Sequence, residues 1–196
     1  MLERAPDSTD QDSRNARGKS TMLMLMNYVL AGTLHRSLRG LADDGWEVTL
    51  ALEMFGGTVA ATRSLSNGRR LTIAAEGPAR EVISPWLSEG QITVDNWKEL
   101  LGLALFRLEP AEREESGGLS VRTLMSYVIR TETPRDPLKV IAQQAATSSR
   151  QHVAFLLGLD WQVIHELATV NKGLDQLKVI TAASREGLVA TLRPEP

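Results

Sequence analysis

Residues 46–75 constrain the fold more than any other stretch of the chain. In WEVTLALEM, Trp46, Val48, Leu50, Leu52 and Met54 alternate with Glu47, Thr49, Ala51 and Glu53. Successive side chains of a strand point to opposite faces, so a period of two predicts a strand with one buried face. Gly56-Gly57 then predicts a turn, TVAATRSL a second strand and RRLTIAA a third. Asn67-Gly68, between the last two, is the strongest short hairpin signal. The expectation is an antiparallel three-stranded β meander, a structural sheet with no chemistry of its own.

The flanking segments read as helix. From Lys19 onward Met22, Met26 and Val29 share one face, with Leu23 and Leu30 beside it and Gly32 as the C-cap. TVDNWKELLGLALFRL predicts a helix capped by Thr93 or Asp95, its apolar face running through Trp97, Leu100, Leu101, Ala104 and Leu105. LSVRTLMSYVIR is a helix or a buried strand, which periodicity does not decide. SSRQHVAFLLGLDWQVIHELATV is mostly helix. Residues 1–17 read as a loop or frayed terminus, 109–118 as a charged loop, and TPRDP as a break. Val163, Leu167, Val170, Leu174, Leu177 and Thr181 are spaced 4-3-4-3-4, a heptad seam. That spacing fits either the start of a coiled coil or a terminal amphipathic helix lying on the domain.

Composition removes several function classes. The chain has no cysteine, which excludes disulfides, thiolate metal sites and cysteine catalysis. Its three histidines, His35, His152 and His165, are scattered. A net charge of -2 gives no global pull toward nucleic acid or anionic membrane. Arg36, Arg39, Arg69 and Arg70 could meet DNA phosphates, but dispersed arginines usually make a solvated face. The apolar run 22–32 is too short to span a bilayer, which takes ~20 residues. The expected location is cytoplasmic.

The one sharp motif is Gly18-Lys19-Ser20-Thr21, the end of a G-x-x-x-x-G-K-[ST] phosphate loop. Gly18 lets the backbone curl close to phosphate oxygens. The amide N–H groups of residues 16 to 20 would point inward at a helix start, where open donors and the helix dipole favour an anion. Lys19 would reach the β and γ phosphates, and Ser20 would ligate magnesium through its hydroxyl. Thr21 adds a second hydroxyl. The first glycine of the motif is replaced by Ser13, which resists a positive φ. AFLLGLD, residues 154–160, mimics a Walker B strand ending at Asp160, but its period and length favour helix.

The stretch DSTDQDSRNARGKST, with LGLDW downstream, resembles a bacterial group of SMC-like ATPases of the ATP-binding-cassette class. In that class an asparagine commonly stands three before the GKST glycine, as Asn15 does here. Ala16 stands where glycine is common, and Thr131 where related ATPases often place glutamine. The resemblance covers roughly residues 2 to 180. It implies an α/β fold, a P-loop NTPase half-domain trimmed at both ends. Residues 1–160 would be the N-terminal lobe of the head, 161–185 the start of a coiled-coil helix, and 186–196 a tail. It further implies bound Mg2+ and ATP, contacted by Asn15, Ala16, Arg17, Gly18, Lys19, Ser20 and Thr21, with Ser20 on the metal. The signature motif, the Walker B acids and the switch histidine of such ATPases do not occur, so no catalytic residue is assigned. The implied partners are the C-terminal lobe or a second head, with DNA possible and no membrane. The implied process is DNA repair or defence against foreign DNA. The contrasting expectation is a truncated or decayed chain acting only as a non-catalytic interaction module.

Overall fold

The structure is a computed structural model that describes residues 14–108, 119–129 and 145–185, with the backbone alone at 14–17. Ser13, the charged loop 109–118, Thr131, TPRDP and the tail 186–196 lie outside the described residues. Two compact units divide the chain, residues 1–142 and 143–196.

The first unit opens with α1 (Arg14–Val29), a 3-10 turn at 36–38 and α2 (Arg39–Asp43). Then come β1 (Glu47–Met54), β2 (Gly57–Ser64) and β3 (Arg70–Ala75). After them follow α3 (Ala79–Ile83), a 3-10 turn at 84–86, β4 (Gln91–Thr93), α4 (Val94–Phe106) and α5 (Val121–Val128). The sheet is antiparallel, in the order β1-β2-β3-β4. It therefore has four strands where the sequence predicted three. The extra strand β4 is only three residues long, too short to show alternation, and pairs Ile92 with Leu71.

The predicted alternation sets the register. Val48, Leu50, Leu52 and Met54 point inward, opposite exposed Glu47, Thr49, Ala51 and Glu53. Trp46, predicted on the inner face, is 56% exposed because the strand begins one residue later. The inner face joins Val59, Ala61, Leu71, Ile73 and Ile92 to Val29, Leu30, Ile83, Trp97, Leu100, Leu101, Val121 and Met125 in one core. Each large side chain buried there contributes about 1.5–3 kcal/mol. Thr93 caps α4 as predicted, its Oγ1 accepting from the Asn96 N–H at 3.2 Å. Asp95 pairs with Lys98 instead. Ser120 and Thr123 form a capping box that settles 121–128 as helix.

The two hairpin signals act differently from expectation. The first turn is Phe55-Gly56, at φ 53° and 75°, and Gly57 already belongs to β2. Two central residues at positive φ match the twist of the flanking strands. The second connection spans residues 65–69, and Gly68 is not in the left-handed region. Glycine is required there by close approach, since a Cβ would fall 1.8 Å from the Tyr28 hydroxyl.

Arg107 ends α4 at φ 54°, with its N–H donating to Gly102 and Leu103. Its side chain is exposed. Arg107→Gly is expected to raise stability by about 0.5–1 kcal/mol by removing the left-handed penalty. Thermal unfolding of the purified chain should show a rise of a few degrees, and a fall would contradict this reading of the cap.

The second unit is a helical hairpin, α6 (Ala146–Leu156) and α7 (Trp161–Arg185). Gly158, at φ 68°, ends α6, and the Leu159 N–H reaches back to the Ala154 carbonyl at 2.9 Å. This is the paired bond of a glycine-capped helix end. Asp160 then starts α7, its carboxylate accepting from the Gln162 N–H at 3.1 Å. Residues 154–156 are thus the end of α6 and 157–160 the turn into α7, and the Walker B strand reading of Asp160 fails. Phe155 and Trp161 meet edge to face across the turn, 6.4 Å apart. α6 packs against α7 within the second unit. The heptad residues Val163, Leu167, Val170, Leu174 and Leu177 are all exposed, between 49% and 60%.

Candidate phosphate-binding site on the first helix

Gly18, Lys19 and Ser20 are exposed on α1, and Thr21 is half-buried. The helix begins at Arg14, so Lys19 lies in its second turn rather than at its start. The backbones of Asn15, Ala16 and Arg17 form its first turn. Only the first four amides of a helix lack an intrahelical acceptor. Helix from Arg14 places the amides of Gly18, Lys19 and Ser20 opposite carbonyls four residues back, whereas the sequence expected the amides of residues 16 to 20 to point at a phosphate. The reason is local. Arginine and alanine are good helix formers, and Gly18 alone opposes them by about 1 kcal/mol.

The far end of α1 is anchored by an unusual number of side chains. Ala31 adopts φ 64° and the Gly32 N–H closes on the Asn27 carbonyl at 2.9 Å. The predicted C-cap is thus moved one residue, to Ala31. The remaining carbonyls of this last turn take donors from three other elements. From β2, Arg63 donates through one guanidinium nitrogen to the carbonyls of Tyr28 and Gly32. Its Nε donates to the Gly68 carbonyl at 2.8 Å. From α4, Trp97 Nε1 donates to the Val29 carbonyl at 2.9 Å. From α5, Arg122 donates to the Leu30 carbonyl at 2.8 Å and to Asn27 Oδ1 at 2.7 Å.

These donors complement the negative end of the helix dipole. The Arg63 guanidinium also stacks 4.0 Å from the centre of the Tyr28 ring, whose hydroxyl donates to the Ser64 carbonyl at 2.7 Å. Burial lowers the pKa of Arg63, with Tyr28 opposing. Burial lowers that of Arg122 as well, and the nearby Arg63 charge adds to it. Burial raises the Tyr28 pKa, against the pull of Arg63. Among the described residues neither guanidinium has a carboxylate partner; backbone carbonyls and Asn27 Oδ1 accept their bonds.

Sequence reading found the GKST end of α1 and missed the anchored end. One signal was available. Arg63 shares the inward parity of Val59 and Ala61, and a cation at a buried strand position needs acceptors. For Trp97 the buried side chain was predicted but not its hydrogen bond. Nothing local marks Arg122.

Among the described residues no three His, Asp or Glu side chains cluster to hold a metal. No helix among them is long and apolar enough to cross a membrane. Comparison with protein-family models, with curated proteins and with solved structures finds no match.

Proposed function

We propose that this chain is the ATP-binding N-terminal lobe of an SMC-like ATPase head. The observation that carries the reading is Gly18, Lys19 and Ser20 exposed near the N-terminus of a helix whose other end is fixed to an antiparallel sheet and two helices. A phosphate group would be held by the open amides of the first turn and by Lys19. Wrapping the β and γ phosphates requires residues 14–18 to open from helix into loop. Helix ends fray at small free-energy cost, and Gly18, Lys19 and Ser20 are exposed. Ser20 would contact a magnesium ion held chiefly by the phosphates, which suits the ion's preference for few protein ligands.

Met22 and Leu23 are 62% and 41% exposed, on a helix that is buried from Tyr28 onward. A partner surface could cover these two side chains. Their exposure supports a C-terminal lobe or a second head as partner. The chain holds no assigned acid for hydrolysis, so turnover alone should be slow or absent. DNA repair or defence against foreign DNA is the process that the resemblance suggests, with DNA as a further partner.

Equilibrium titration with a fluorescent ATP analogue and magnesium tests the reading. Micromolar binding is expected for the native chain, and Lys19→Ala should weaken it at least tenfold, about 1.4 kcal/mol or more. A folded native chain that binds nothing would sink the proposal. The exposed heptad face of α7 would then favour the second reading, a non-catalytic interaction module.

A further inference from the structure

We infer that Arg122 is a positioning residue for nucleotide bound at the opposite end of α1, and that it links nucleotide occupancy to the order of α5. The inference rests on the ATP-binding reading above. A helix of 16 residues is a rod about 24 Å long. Its first turns are exposed at Gly18, Lys19, Ser20, Met22 and Leu23, so its direction is set by what grips the rest. Arg63 and Trp97 hold the carbonyls of Tyr28, Val29 and Gly32 from β2 and α4. Arg122 grips from α5, and its planar fork spans a side chain and a carbonyl three residues apart, Asn27 and Leu30. Two acceptors on one rigid fork restrain rotation about the helix axis as well as tilt. Lys19 lies about 12 Å along the helix from Asn27, so a tilt of about 5° moves it by about 1 Å. Displacements of that size are enough to degrade a phosphate site.

Coupling of this kind is reciprocal. If the Arg122 bonds favour the binding geometry, then bound nucleotide must favour those bonds. Nucleotide should therefore slow amide exchange in α5, far from the phosphates.

The test compares native chain, Arg122→Gln, Arg122→Lys and Asn27→Ala, each checked for folding. The readouts are the dissociation constant of a Mg-ATP analogue and amide exchange over Val121–Val128. Arg122→Gln is expected to bind about tenfold more weakly, and Arg122→Lys and Asn27→Ala about threefold. Asn27→Ala favours the helix, so weaker binding with an unchanged or higher melting temperature separates positioning from mere stability. It also serves if Arg122→Gln fails to fold. Nucleotide should slow α5 exchange in the native chain and not in Arg122→Gln. Native affinity in folded Arg122→Gln or Asn27→Ala, or an α5 indifferent to bound nucleotide, would overturn the inference alone. A native chain that binds no nucleotide overturns the ATP-binding reading and this inference with it.

Discussion

Arg63→Leu is expected to cost the first unit about 3–5 kcal/mol, since three carbonyls lose a charged donor at about 1–3 kcal/mol each. Leucine fills part of the volume but donates nothing. The carbonyls of Tyr28, Gly32 and Gly68 would each lose a donor. A buried polar group left unsatisfied costs about 1–3 kcal/mol. The contact with the Tyr28 ring goes too. Total stabilities are about 5–15 kcal/mol, so this one change approaches the whole margin. Urea unfolding followed by tryptophan fluorescence, to which buried Trp97 contributes, should show the midpoint collapse. Arg63→Lys keeps the charge but cannot span three acceptors, and should fall between. A leucine variant within 1 kcal/mol of native would show that the anchored helix end is incidental.

Gly68→Ala should be the second large effect, about 2–3 kcal/mol, at the upper part of the range for overpacking. The new methyl would sit 1.8 Å from the Tyr28 hydroxyl oxygen, 2.9 Å from Cζ and 3.1 Å from Arg63 Nε. The tyrosine cannot swing away freely, because its hydroxyl is bound to Ser64 and its ring lies under Arg63. Tyr28→Phe deletes the atom that clashes most, at the cost of one hydrogen bond worth about 1 kcal/mol. The double variant should therefore be more stable than the sum of the singles by about 1 kcal/mol or more. Additive losses in the cycle would contradict the geometry.

The sheet was legible because one buried face imposes a period of two over eight residues. Thr93 was legible as a cap because its hydroxyl has only a local task. Long-range demands were not legible. Asn67-Gly68 looks like a two-residue turn, yet the glycine answers to Tyr28, forty positions away. Phe55 at positive φ defied the usual preference for glycine or asparagine there, because its ring packs on the core. The candidate site shows the same division. Gly18-Lys19-Ser20-Thr21 is a contiguous motif and reads directly. The start of α1 did not, because RNAR carries no breaker and the helix ran back through it. The anchored end joins β2, α4 and α5 to one helix turn, a meeting set by tertiary packing rather than spacing. The heptads of α7 were legible as a seam, and the structure leaves that seam exposed.

The most direct test of nucleotide binding at this helix end is amide exchange over Arg14–Thr21, with and without Mg-ATP. The account predicts that nucleotide slows exchange at residues 14–21 and that Lys19→Ala removes the effect. Exchange there that ignores saturating Mg-ATP in a folded chain, or protection that survives Lys19→Ala, would contradict it.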